Sequence, residues 1–240
     1  MEVVYIFNYT PETFNTALQR LKCSIGSLQN QNVRIIVLNH SNSKLTPLVA
    51  FPIFEIHHPC YDNYNKAKSI NHVVKNYIKG DYYLMSDVDI IVPLDYVEKM
   101  NQLSMKYKSC RVIPFIHRVM IEMYSFDYTE VQGYADTNIK NNQSLAAGIG
   151  LIHKPSWKAI NGYDETFVGH GPEDHDFNLR IAKVCPVIND YTNIIYHLYH
   201  QPLRMNNSKN NCKYLEQRYM DYQNYIIANE NKTIEEIGII

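Results

Sequence analysis

From Tyr82 to Val92 the chain is apolar, aromatic and β-branched, as a strand buried on both faces of an α/β sheet must be, yet Asp87 and Asp89 interrupt it. Two acids at a buried strand's end need water, a basic partner or a metal ion, because an unpaired carboxylate in apolar surroundings costs several kcal/mol. The carboxyl edge of an open α/β sheet is also where such sheets bind ligands. Asp-x-Asp at that edge presents hard oxygen ligands to a divalent cation holding a diphosphate. A solvated turn acid beside a capping acid is the plainer alternative, and the motif alone does not choose between them.

The flanking pattern is that of alternating strands and helices. Val3 to Phe7 reads as a first strand, followed by Asn8-Tyr9-Thr10-Pro11. Thr13 is placed to cap a helix running to about Asn30, with Phe14, Leu18, Leu21, Ile25 and Leu28 at helical spacing. Strands are expected at Val33–Leu38 and Phe51–Ile56, then a helix from Lys66 to Ile78, stopped by Gly80. Beyond the acidic motif, Leu94–Tyr107 reads as helix, Arg111–Ile116 as strand, and Tyr124–Gln143 as a polar, aromatic stretch without clear periodicity. Ala146–Ile152 brings Gly148 and Gly150 into a strand, where backbone must approach something closely. A short helix opens at Pro155 and closes at Asn161-Gly162; another runs from Glu173 to about Val184. The alternation predicts an α/β fold with a mostly parallel, Rossmann-like central sheet flanked by helices. A single domain over 1–203 is expected, with 204–240 as a C-terminal lid loop and a helix around Tyr214 to Ile227.

Two further polar clusters stand out. Phe167-Val168-Gly169-His170-Gly171-Pro172-Glu173-Asp174-His175-Asp176 crowds acids, histidines and glycines together. Acids in a first helical turn complement the helix dipole, which accounts for one or two of them and leaves the crowding unexplained. Tyr196-His197-Leu198-Tyr199-His200 places two histidines three apart at the end of an apolar strand, a spacing that serves structure or metal binding alike.

Composition removes some functions. A formal net charge of −1 over 240 residues gives no basic surplus for a nucleic-acid binder. Cys23, Cys60, Cys110, Cys185 and Cys212 are scattered, without a C-x-x-C pair, as in a chain with reduced thiols. With no basic, apolar leader ahead of Val3 and nothing near the ~18 apolar residues of a membrane span, a cytoplasmic location is expected. Peripheral contact with a membrane stays open.

The ordered motifs resemble a known family. Tyr64-Asn65-Lys66-Ala67-Lys68-Ser69-Ile70-Asn71, then Ser86-Asp87-Val88-Asp89, then Ile160-Asn161-Gly162-Tyr163 leading into Gly169-His170-Gly171-Pro172-Glu173-Asp174, is similar to the β-1,4-galactosyltransferases. It is similar also to the bacterial chondroitin-polymerase and capsule glycosyltransferases. The resemblance covers roughly Val3 to His200 and implies a GT-A fold that binds a UDP-sugar, with Mn²⁺, or Mg²⁺ as a substitute, on the diphosphate.

Position by position, the resemblance implies Asp89 as a metal ligand and Asp87 as a contact to the ribose or the metal's water. His197 and His200 fall at the spacing of the family's M-x-x-H ligands. It implies Asp174 as general base, Glu173 as its acceptor-binding neighbour, and Lys66, Gly148, Tyr9 and Asn39 around the nucleotide-sugar. Here Asn39-His40 replaces acids that read uracil in many such enzymes, His170 replaces an acceptor-stacking tryptophan, and Pro172 replaces a glycine. The implied function is an inverting transferase moving a hexose or N-acetylhexosamine to a glycan or lipid-linked glycan, in surface-polysaccharide synthesis. A sugar-phosphate nucleotidyltransferase and an inactive glycan-binding relic are the alternatives. The absent luminal stem and membrane anchor would suit a bacterial-type or viral enzyme.

Overall fold

Strand residues of alternating parity face opposite layers, so two helical layers bury one sheet from both sides. The computed structural model describes residues 1–9, 11–58, 64–119, 123–136, 143–168, 172–200 and 208–229. In chain order the elements are β1 (Glu2–Phe7), α1 (Phe14–Ser27), β2 (Arg34–Asn39), β3 (Phe54–His57), α2 (Lys66–Tyr77), β4 (Tyr82–Ser86) and β5 (Ile90–Ile91). There follow α3 (Tyr96–Tyr107), β6 (Arg111–Arg118), α4 (Tyr128–Asp136), β7 (Gln143–Leu145), β8 (Gly150–His153) and α5 (Lys154–Ala159). The last three are α6 (Glu173–Ile181), β9 (Val187–His197) and α7 (Ser208–Asn229).

The strand order is β3-β2-β1-β4-β8-β6-β9-β5, with β7 beside β6. β3, β2, β1 and β4 are parallel neighbours, as are β6 and β9; β8, β7 and β5 enter antiparallel. Counted by paired residues, most of the ladder is parallel. Val3, Tyr5, Phe7, Val37 and Leu84 pack on one side with Leu18, Leu21 and Ile25 of α1 and Met100 of α3. Val4, Ile36, Leu38, Tyr83 and Met85 pack on the other with Ile70, Val73 and Val74 of α2 and Phe177 and Ile181 of α6. Each such side chain, fully buried, stabilises the fold by about 1.5–3 kcal/mol before entropy is charged against it.

Several local expectations shift. The run around the acidic motif is two strands, not one: the chain leaves β4 inside the sheet and reaches its far edge as β5, so Asp87–Asp89 form the link. α1 ends at Ser27 rather than near Asn30, and Thr13 stands at its N-cap without a side-chain hydrogen bond to the helix. α2 ends because Ile78 turns extended; Gly80 lies outside the helix, its N–H donated to Glu2 Oε2 at 3.0 Å. The third strand is displaced to Phe54–His57. The stretch lacking periodicity contains α4, whose Val131 and Ala135 bury against Tyr196 and Leu198. α7 starts six residues before Tyr214. Among the described residues no helix is long and apolar enough to cross a membrane.

Candidate active site

At the β4–β5 link, Asp89 turns inward and Asp87 outward. Asp89 is almost fully buried, and its carbonyl accepts the Leu198 N–H at 2.9 Å. With Ile90 opposite His197 in the β5–β9 ladder, this register brings both histidines to the carboxylate. His197 Nε2 lies 3.6 Å from Asp89 Oδ1 and His200 Nε2 lies 3.3 Å from Oδ2. One ligating atom from each of the three lies within 4.8 Å of the others. Asp89 Oδ1 is buried without a hydrogen-bond partner among the described residues, a costly state for a carboxylate oxygen that a cation relieves. One carboxylate and two imidazoles make a mixed oxygen–nitrogen donor set that suits Mn²⁺ better than Mg²⁺.

A second cluster forms around Lys66 at the start of α2. Asn65 caps this helix, its Oδ1 accepting the Lys68 N–H at 2.8 Å. Lys66 Nζ then lies 3.3 Å from Asp174 Oδ2, 3.5 Å from Glu173 Oε1 and 3.7 Å from Asp87 Oδ1. Burial opposes the charge on this lysine, but Asp174, Asp87 and Glu173 outweigh it and hold the ammonium protonated well above the usual lysine range. Burial is also the main reason the Glu173 carboxyl is pushed up to about 7; Asp174 adds to the rise and Lys66 opposes it. Glu173 Oε2 and Asp174 Oδ1 are buried without hydrogen-bond partners among the described residues.

Gly148 forms the floor beneath Asp174: a methyl group there would stand 2.7 Å from Asp174 Cγ. Its turn is held by Arg111, whose buried guanidinium donates to Ala147 O at 2.7 Å, Val112 O at 2.7 Å and Asn178 Oδ1 at 3.0 Å. Gly150 has φ +111°, and any side chain there would collide with the Val112 carbonyl. The Asn71 amide joins α2 to the segment before α6, donating to Tyr163 O and accepting from Tyr163 N, both at 2.8 Å. Gly162, with φ +72°, lets that backbone pass against Asn71 and Trp157.

Tyr9 and Tyr64 border the two clusters. Burial is the main cause raising each phenol above its usual range; Asp89 and Asp87 contribute at Tyr9, Glu173, Asp87 and Asp174 at Tyr64. The expected residues Tyr9, Lys66, Asp87, Asp89, Gly148, Glu173, Asp174, His197 and His200 are thus brought to one edge of the sheet.

Asn39 is not brought to the cleft. It is fully buried, with Nδ2 donating to Ser43 O and Glu55 Oε1 at 2.7 Å each, and Oδ1 accepting from Ser41 N at 2.9 Å. Its amide capacity is spent on shaping the loop after β2, which leaves nothing for a nucleobase. His170 and Gly171, and residues 201–207, where the lid loop is expected to start, lie outside the described residues. Sequence reasoning missed Arg111 and Arg218. Arg111 carried one signal, a charged residue opening an apolar strand, whereas Arg218 is one of several charged residues in a long helix and carried none.

Residues 141–228 match the family described as glycosyltransferase like family 2, a span holding Gly148, Glu173, Asp174 and both histidines. The fold is similar to the crystal structure of GalNAc-T7 with UDP, GalNAc and Mn²⁺, with TM-score 0.61 and 12% identity over 99% of this chain and 53% of that one. The chain therefore spans about half of that structure, and the likeness, one of fold, is to a GT-A glycosyltransferase. A structure of S. aureus TarS aligns with TM-score 0.48 and 11% identity over 82% of this chain and 36% of that one. Among curated proteins none matches the sequence.

Proposed function

We propose that this glycosyltransferase, a GT-A-fold chain with a family-2-like stretch over 141–228, is inverting and divalent-metal-dependent. On this reading it moves a hexose or N-acetylhexosamine from a UDP-sugar to a glycan or lipid-linked glycan, in surface-polysaccharide synthesis. The observation that carries it is Asp89: a buried carboxylate with an unpartnered oxygen, flanked by two imidazoles, at the ligand-binding edge of the sheet. GalNAc-T7, with the same fold, is described with UDP and Mn²⁺, which supports the choice of donor and ion.

Asp89, His197 and His200 would hold the ion, with Asp87 toward the ribose or the ion's water. When bound, the ion acts as Lewis acid and template for the departing diphosphate. The chain's own residues do the rest. Asp174, 3.3 Å from Lys66, takes the proton of an acceptor hydroxyl as that oxygen attacks the anomeric carbon and the bond to the diphosphate oxygen breaks. Lys66 stands against Asp174 as its counter-charge, and Glu173 beside it holds the acceptor. One set of acids for the metal and another for the acceptor fits a single inverting displacement.

Purified protein with Mn²⁺ and a panel of sugar nucleotides should release UDP slowly from one of them. Asp89→Ala should lose Mn²⁺-dependent UDP binding by calorimetry while melting close to wild type. UDP binding with undiminished Mn²⁺ dependence in Asp89→Ala would overturn the metal assignment. Folded protein that acts on no sugar nucleotide would overturn the transfer reading.

A further inference from the structure

The acids of α6 sit in a helix of nine residues whose first turn receives no side-chain cap, since its N-cap residue is Pro172. Such a helix start is held by its neighbours rather than by itself. The neighbour is α7. Arg218 Nη2 donates to Asp164 Oδ2 at 2.9 Å and to the Tyr214 hydroxyl at 2.7 Å, and that hydroxyl donates to Asp164 Oδ2 at 2.8 Å. The same guanidinium also faces α6: Arg218 Nε lies 3.5 Å from Asp176 Oδ1. Both atoms are buried and neither has a hydrogen-bond partner among the described residues.

Asp164 and Asp176 bracket the segment that delivers Glu173 and Asp174. Asp176 is fully buried and is gripped from below by Arg180, at 2.7 Å through Nε, while Arg180 Nη1 donates to Ile160 O and Gly162 O. Further along, the Tyr214 ring meets Phe167 edge-on with centroids 5.1 Å apart, and Asn211 Nδ2 donates to Val168 O at 3.1 Å. α7 therefore touches the segment on both sides of residues 169–171. Burial opposes the charge on Asp164, but Thr166, Tyr214 and Arg218 outweigh it and hold its carboxyl down at about 2. The Asp164–Arg218 contact therefore stays ionic around neutral pH.

We infer that Arg218 is a positioning residue: by bridging Asp164 and Asp176 it fixes the start of α6, and with it the placement of Glu173 and Asp174 against Lys66 and Gly148. A surface brace alone would need only one of these two acids. The inference rests on the proposed roles of Glu173 and Asp174, and the test separates the two.

Arg218→Ala and Arg218→Lys are compared by amide hydrogen exchange and by transfer kinetics. In Arg218→Ala, exchange at 173–181 should rise at least about tenfold while β1–β4 amides keep wild-type rates, because only the bracketed segment is released. The same variant should lose about tenfold in kcat with donor KM unchanged, as expected for carboxylates misplaced by a fraction of an ångström. Arg218→Lys, which keeps a cation but cannot reach both carboxylates through separate nitrogens, should fall between. Wild-type exchange in α6, a rise spread evenly over the sheet, or faster α6 exchange with wild-type kcat would each overturn the inference. If Asp174→Asn and Glu173→Gln both turn over normally, the base assignment fails instead, and exchange at 173–181 still decides whether Arg218 holds α6.

Discussion

A methyl group at position 148 should disarm the site without unfolding the protein. Gly148 does not have a positive φ, so alanine is acceptable to the backbone, and the cost is confined to what the new Cβ meets. It meets the Asp174 carboxyl, with Cγ at 2.7 Å. Relaxed carbon contacts lie at ~3.5–4.0 Å, so the carboxyl must retreat by roughly 1 Å. The moving group is the end of a short side chain, which keeps the loss of stability to about 1–2 kcal/mol, the lower range for overpacking. The retreat acts on the Asp174–Lys66 contact, now 3.3 Å, and on the reach to an acceptor hydroxyl. A 1 Å displacement of a reacting group typically costs about 10²-fold in rate. Gly133 on α4 is the control, since a Cβ there would meet nothing within 4 Å. Steady-state transfer and thermal melts should show Gly148→Ala down about 10² in kcat with a Tm within a few degrees of wild type. Gly133→Ala should keep its activity. Wild-type turnover in Gly148→Ala would refute the placement of Asp174 as base.

Because the folded carboxyl of Glu173 is raised from 4.5 to about 7, the native state holds its proton where the unfolded chain has released it. That contribution is fully present below pH 4.5 and is lost as pH rises through 7; Glu173→Gln should therefore gain Tm over wild type at pH 8 more than at pH 5, and equal shifts at both would contradict it. Asn71→Ala removes a two-way bond to the Tyr163 backbone and leaves the Tyr163 N–H without it, which should cost about 1–3 kcal/mol in urea unfolding. A loss below measurement error would show that water replaces the amide.

The acids, histidines and glycines of the site were legible because each is a local departure from a strong pattern: carboxylates in an apolar run, or paired histidines where a strand ends. What the sequence withheld are the partners, which long-range pairing decides. Lys66 meets acids 107 and 108 residues away, and nothing in Lys66-Ala67-Lys68 says which lysine turns inward. Asn39 was misplaced for a related reason. A polar residue at a strand's end reads as facing ligand, but Glu55 from the next strand takes its amide. α4 escaped because its inner face is Tyr128, Val131 and Ala135, too few and too mixed for a 3.6-residue period to show over nine residues. Arg218 escaped because α7 grips α6 through charges and hydroxyls, which leave no apolar stripe to count.

The position of His197 depends on an irregularity that no periodicity in the sequence predicts. β6 and β9 pair in parallel with Pro114 opposite Asp190, yet two residues later Ile116 lies opposite Ile195. Without the shift, the partner of Ile116 would be Thr192, so β9 carries three extra residues at this point. Side chains alternate with period two, and an odd insertion turns every later β9 residue to the other face. Asp190 fixes the insertion locally. Its Oδ1 accepts from Thr192 N at 3.0 Å and Thr192 Oγ1 at 2.6 Å, and its Oδ2 accepts from Asn193 Nδ2 at 2.6 Å. Burial opposes the charge on Asp190, but these bonds from Thr192 and Asn193 outweigh it and lower its carboxyl below the usual range. With the register so displaced, His197 lies opposite Ile90 and Leu198 can donate to the Asp89 carbonyl. Asp190 is therefore what lets β9, the neighbour of the edge strand β5, present His197 to Asp89, with His200 three residues further on.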